Sequence, residues 1–255
     1  MPFTISHAAA VLPLQKLGGS RLPMAAMMIG SMSPDFAYFL PWDLGVDSHD
    51  LAGIVVFCWP AGLALWLLFV HVLERPTIEL LPAEWRARVP RSDPSHSIKA
   101  LTFASIAVIL GAITHVTWDA FTHAHTPVTE AFPALSAVVF EFRGRSVRVF
   151  LILQYLSSVI GLLALAIWAR NLRRAAPQIR AAHWSRSHLS NRVRIGAALM
   201  VFATSGATAL LSYANSSGLR IEYRVFNLLI GGMTGWALAW CAVAFFVKVW
   251  SRTAR

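Results

Sequence analysis

His115 and Asp119 are the residues of this chain best spaced to do chemistry together. They lie four positions apart in Thr114-His115-Val116-Thr117-Trp118-Asp119-Ala120-Phe121-Thr122-His123-Ala124-His125. On a helix they stack on one face, with about 6 Å between Cβ atoms. His123 extends that stripe if the helix continues, and His125 follows just before Pro127. Imidazole with carboxylate is a ligand set that suits zinc, iron or manganese. An ion held by three or four such groups with one open position would bring bound water to a pKa near roughly 7 and polarise a phosphoryl or acyl oxygen. A carboxylate left over, Asp119 or Asp35, could orient the attacking water or take its proton.

More candidates stand earlier in the chain, since seven of the nine histidines precede residue 126. His7 closes the opening Pro2-Phe3-Thr4-Ile5-Ser6-His7. Asp35 ends Gly30-Ser31-Met32-Ser33-Pro34-Asp35, and Ser48-His49 follows. Other polar residues have plainer readings. Asp43, Asp47 and Asp50 suit caps and turns before the first long apolar run. His71 sits beside Glu74 and Arg75 as an interfacial residue, and His96, His183 and His188 lie in basic, solvated loops. Trp42, Trp59, Trp118 and Trp250 read as interface anchors or packing.

What must position these side chains follows from composition. Of 255 residues, 56% are apolar and 13% charged, against roughly 45–50% and 25% in soluble domains. The mean hydropathy is +0.58. This excludes a disordered chain and most soluble enzymes. Cys58 and Cys241 each lie inside an apolar run, which leaves no disulfide framework and no Cys-type zinc site. A polytopic membrane protein remains. A span needs about 20 mostly apolar residues. Leu51–Leu73, Ala100–Trp118, Val149–Ala169, Ile195–Ala214 and Val225–Val247 qualify, each without charge. Period-2 alternation is absent, so they are helices rather than barrel strands. Gly196, Gly206, Gly231, Gly232 and Gly235 allow close helix contact in the last two.

Residues 22–40 behave differently. Leu22–Met32 is apolar but is interrupted by Ser33-Pro34-Asp35, and eleven residues cannot cross a bilayer. The segment reads as a re-entrant half-helix turning at Pro34 against protein. The expected fold is all-α: a helix bundle of about five spans plus this half-helix, one integral membrane domain over 1–255. Within it, 1–50 is the His/Asp segment, 51–125 the two spans bearing the site, and 149–247 three further spans.

Orientation follows from Lys and Arg in the connections. Loops 74–99 and 170–194 and the tail from 248 hold five, seven and three; the start, 122–148 and 215–224 hold two, three and two. The first set therefore faces the cytoplasm, including the C-terminus. The +10 net charge is thus a loop property, and no nucleic-acid partner is expected. Arg173, Arg174, Arg180, Arg186, Arg192 and Arg194 could touch anionic lipid. Five-span threading brings His7, Asp35, His49, His115, Asp119 and His123 to one outward end; six spans would strand His7. To share one ion at roughly 2 Å per bond, His7 and Asp35 must lie within about 12 Å of His115.

Pro2-Phe3-Thr4-x-Ser6-His7, Gly30-Ser31-Met32-Ser33-Pro34-Asp35-Phe36, Ser48-His49 and His115-x-x-Trp118-Asp119-x-Phe121-Thr122-His123 resemble an uncharacterised bacterial membrane-protein family. It is the one catalogued as domain of unknown function 4184, and the resemblance spans nearly the whole chain. More distantly, the order Thr-His, Pro-Asp, Ser-His, His-x-x-x-Asp is similar to that of the inner-membrane metal-dependent hydrolases. His-x-x-x-Asp is also similar to a motif of the zinc-dependent phospholipase C group. The hydrolase resemblance implies metal binding at His7, Asp35, His49, His115 and Asp119, by analogy alone. Here Pro34-Asp35 is followed by Phe36-Ala37-Tyr38, where that group typically has another aspartate, so the resemblance carries no second metal.

The sequence thus predicts a metal-dependent hydrolase of the bacterial plasma membrane. It would hold a divalent ion such as zinc and act on a lipid or lipid-linked ester or phosphate at the outer face. The alternative is a non-enzymatic bundle, structural or accessory, or a transporter of ions or small solutes. Gly-x-Ser-x-Gly and Gly-x-x-x-x-Gly-Lys patterns are missing, and no repeat relates the halves.

Overall fold

Uncharged runs of this length can satisfy their backbone in lipid only as helices, and helices they are. A computed structural model of the chain describes residues 3–18, 21–40, 42, 45–86, 89, 97–142, 144–175 and 189–253. Among the described residues, five helical stretches are long and apolar enough to cross a membrane: Leu51–Leu80, Ile98–Ala131, Val149–Leu172, Asn191–Asn215 and Ile221–Trp250. The shortest has 24 residues, about 36 Å at 1.5 Å per residue against a hydrocarbon core near 30 Å. Their outer faces carry Val159, Leu163, Phe202 and Phe245, each more than half exposed. Such surfaces suit lipid and would be a liability in water. His96, His183 and His188, with Asp43, Arg180 and Arg186, lie outside the described residues.

Residues 22–40 split where Pro34 predicts. Met24–Gly30 is a seven-residue helix, about 10 Å long and too short to cross. A 3-10 turn, Ser33–Phe39, follows it. Another 3-10 turn, Thr4–Ala9, carries His7. The first span starts with the Asp50 carboxylate accepting from the Gly53 amide at 2.6 Å, and Asp47 accepts from the His49 amide. It then widens twice into π-helical turns, at Ile54–Cys58 and Phe69–Leu73. Each turn contains the residue four before a proline, Val56 before Pro60 and Val72 before Pro76. A proline ring collides with that carbonyl and offers it no N–H, and a wider turn relieves both problems.

The chain forms two compact units. The first joins Met1–Trp66 to Pro94–Asn171; the second joins Leu67–Asp93 to Leu172–Arg255. In the first, Met24–Gly30 packs on Ile98–Thr122, burying Met27, Val108 and Ala112. Ile54 and Cys58 of the first span close the other side of Ala112. The loop before the third span holds a two-stranded antiparallel hairpin, β1 (Val138–Phe142) and β2 (Arg145–Arg148), which the sequence reading does not anticipate.

In the second unit the fourth and fifth spans lie together. Ser205 Oγ donates to the Gly232 carbonyl at 2.8 Å, and a Cβ on Gly231 or Gly235 would overlap Ser212 or Thr208. Small residues thus bring these backbones together, whereas Gly196 and Gly206 face open space. Val201, Ala239, Val243 and Val247 form the core. Trp240 donates to Thr77 Oγ1 at 3.1 Å and Lys248 to the His71 carbonyl at 2.9 Å.

Candidate metal centre

Four separate stretches of the first unit deliver the candidate ligands to one point. His115 and Asp119 come from successive turns of Ile98–Thr122, on its buried face. Asp35 comes from the 3-10 turn after Pro34, His7 from the N-terminal 3-10 turn, and His49 from the turn before the first span. The N-terminal turn is held against the third span, where the Phe3 amide donates to Ser158 Oγ at 3.2 Å. His7 and His115 stack with ring centroids 3.7 Å apart, and His49 meets His115 edge-on at 5.3 Å.

The spacing of the polar atoms is informative. His115 Nε2 stands 3.6 Å from Asp35 Oδ1 and 3.4 Å from Asp119 Oδ2. His49 Nε2 stands 3.5 Å from Asp35 Oδ1 and 3.7 Å from Asp119 Oδ2; His7 Nε2 stands 3.5 Å from Asp119 Oδ1. A direct N–H···O bond would be roughly 2.7–3.2 Å. Atoms that each bind one tetrahedral ion at about 2.0–2.1 Å are instead about 3.3–3.4 Å from each other. Among the described residues, two triads meet the requirements for holding an ion, His7·Asp35·His115 and His49·His115·Asp119.

Four of these atoms, His7 Nε2, Asp35 Oδ1, His115 Nε2 and Asp119 Oδ1, are buried with no hydrogen-bond partner. Buried polar atoms are nearly always satisfied. Three of these orphans belong to the His7·Asp35·His115 triad, the arrangement expected of a cation's ligands.

Neighbours fix the remaining valences of His115, His49 and Asp35, whereas His7 Nδ1 is itself buried without a hydrogen-bond partner. His115 Nδ1 is 2.7 Å from the Ser31 carbonyl, which can only accept, so in the neutral ring Nδ1 carries the proton and Nε2 the lone pair. Ser48 Oγ donates to the Pro34 carbonyl at 2.8 Å, which leaves it to accept from His49 Nδ1 at 3.1 Å. His49 therefore also presents a bare Nε2. Thr4 Oγ1 donates to Asp35 Oδ2 at 2.6 Å, leaving Oδ1 for the centre. Burial, and next the adjacent His115, push His7 down to about 3 against the pull of Asp119 and Asp35, so it is a neutral imidazole at pH 7. Tyr38, whose ring lies 6.0 Å from that of His49, is pushed up to about 12 by burial and the nearby carboxylates.

His123 stands at the rim, outside both triads. Its Nδ1 lies 3.2 Å from the Asp119 carbonyl and 3.7 Å from Asp119 Oδ1, while its Nε2 faces the Gln154 amide at 3.4 Å. Both ring nitrogens are engaged, because the helix ends at Thr122 and the stripe of every fourth residue ends with it. His125 is exposed in a left-handed turn, φ 58°. Thr4, Ser48, the Ser31 carbonyl and Gln154 go unmarked as partners in the sequence reading. Thr4 and Ser48 do sit beside the ligands in Thr4-x-Ser6-His7 and Ser48-His49, a local signal for the first two alone.

No curated protein and no solved structure matches the chain. The family profile described as Domain of unknown function (DUF4184) matches residues 1–245, a range that includes every residue of the cluster. This multi-pass membrane protein therefore belongs to the DUF4184 family.

Proposed function

We propose that the chain is a membrane-embedded metal-dependent hydrolase acting on a lipid or lipid-linked ester or phosphate. The observation that carries the proposal is the set of four buried, unpartnered donor atoms on His7, Asp35, His115 and Asp119. A bound divalent ion, zinc by preference for this nitrogen-rich set, would supply a water acidic near pH 7 and a polarised phosphoryl or acyl oxygen. His7, Asp35 and His115 would hold it, with His49 Nε2 beside Asp35 at 3.5 Å. Asp119, with an oxygen toward each of His7 and His115, is the carboxylate suited to take the proton of the attacking water. His123 would set the position of Asp119 from the rim.

Loop charge supports a bacterial plasma-membrane location with the cluster facing outward and the C-terminus in the cytoplasm. The similarity to the inner-membrane metal-dependent hydrolases points the same way, by analogy. Elemental analysis of purified protein, then hydrolysis of labelled phospholipid with and without chelator, tests the reading. Protein that carries no metal would remove its basis. A second reading is favoured by how closed the cluster is, with the His7 and His115 side chains 0% exposed: an ion that only pins the helices. Metal without hydrolysis would select it.

A further inference from the structure

A groove of about 520 Å³ lies on the first unit between the second and third spans. One wall is Ile113, Thr117 and Phe121; the other is Leu153, Leu156 and Ile160. Both walls belong to helices that cross the membrane. The helix Ile98–Thr122 thus turns two faces to two environments. His115 and Asp119 point into the buried cluster, and Ile113, Thr117 and Phe121 stand exposed in the groove.

Trp118 separates the two. It lines the groove, its ring lies edge-on 5.9 Å from the ring of His7, and its indole N–H donates to Ser157 Oγ at 3.0 Å. At the groove's upper end stand Thr122 and Leu153, whose chain neighbours His123 and Gln154 form the cluster's rim. Thr122 Oγ1 is itself 3.3 Å from His123 Nδ1. From Ile113 to Phe121 the groove runs eight residues, about 12 Å at 1.5 Å per residue. One leaflet of hydrocarbon is about 15 Å deep, half of a core near 30 Å.

From this juxtaposition we infer that the groove seats one hydrocarbon tail of a membrane lipid, placing the linkage next to its head group at the rim formed by His123 and Gln154. As a substrate subsite it rests on the hydrolase reading; as a tail site it stands without it. Trp118 is then the positioning wall, and the polar groups of the cluster meet only the top of the molecule.

The test uses the full chain in nanodiscs containing a phospholipid with a diazirine at mid-tail, with metal content measured on the same samples. Photo-adducts should concentrate on Thr117–Phe121 and on 153–160. Leu156→Trp, which fills the groove with an indole, should lower labelling there by about tenfold, the equivalent of about 1.4 kcal/mol, at unchanged metal content. Ile160→Phe serves as a second, milder filling should Leu156→Trp not fold. Adducts spread evenly over the outer faces of all five spans would mean ordinary boundary lipid and overturn the inference. Labelling unaffected by filling, or a groove covered by a second copy in cross-linking, would do the same. Loss of metal with retained groove labelling would end the hydrolase reading and leave the tail site standing.

Discussion

Gly30, at the end of the short N-terminal helix, and Gly111, in the second span, meet backbone to backbone. A Cβ on Gly111 would overlap the Met27 carbonyl and lie 2.6 Å from the Ser31 amide and 2.9 Å from the Gly30 carbonyl carbon. A Cβ on Gly30 would overlap the Val108 carbonyl in return. This approach lets the Ser31 carbonyl reach His115 Nδ1, one turn beyond Gly111. The glycines are therefore part of how the centre is built.

Gly111→Ala should accordingly cost about 1–3 kcal/mol by overpacking and reduce bound metal, because backbone rather than a flexible side chain must move. Gly196→Ala, in open space, should leave both unchanged. Thermal unfolding in detergent together with elemental analysis checks the pair; equal behaviour of the two variants would refute this role for Gly111.

The two triads share His115, and its Nδ1 is committed to Ser31. Only Nε2 remains, and one nitrogen lone pair binds one ion. The centre should therefore hold one metal per chain. His115→Ala and Asp35→Ala should empty it, whereas His123→Ala should keep the ion. A stoichiometry of two, or loss of metal in the His123 variant, would contradict the geometry.

The spans were legible because lipid imposes a simple rule, long runs without charge, and the loops betray themselves by arginine. His115 and Asp119 were legible because the helical repeat puts every fourth residue on one face. Convergence of His7, Asp35 and His49 on that pair followed from threading alone. What could not be read were contacts between stretches with no shared period: the Ser31 carbonyl lies 84 residues from His115, and Gln154 lies 31 from His123. The stripe stops short of His123 because the helix ends at Thr122. The β1–β2 hairpin escaped because its strands are mostly exposed and bury no alternating apolar face.

Thr4 is a positioning residue with a separable effect. Its hydroxyl donates to Asp35 Oδ2 at 2.6 Å, and hydrogen bonds to charged groups contribute about 1.5–3 kcal/mol. Thr4→Val keeps the shape and removes the donor, so metal affinity should fall by about 10–100-fold, the range for lost outer partners of ligands. Thr4→Ser restores the hydroxyl and should recover most of it. Competitive titration with a chelating dye measures both; failure of serine to rescue would make the contact one of packing only.

His7 sets a pH dependence whose sign can be worked out. Folded, it is held neutral down to about 3, chiefly by burial; unfolded, it takes its proton at about 6.5. Between those values the unfolded chain binds more protons, so stability rises with pH across the window and is lost as pH falls through it. Above about 6.5 both states are neutral and the contribution is flat. Metal-free protein should therefore show a steady Tm from about pH 8 to 7 and a decline below about 6.5. His7→Gln, which cannot titrate, should show a shallower decline, and the difference between the two curves isolates this residue from the other histidines. Curves of equal slope would mean that His7 takes up its proton in place, as an exposed imidazole would. The unpartnered Nε2 at the heart of the proposed centre would then already be occupied in acid by a proton, without unfolding.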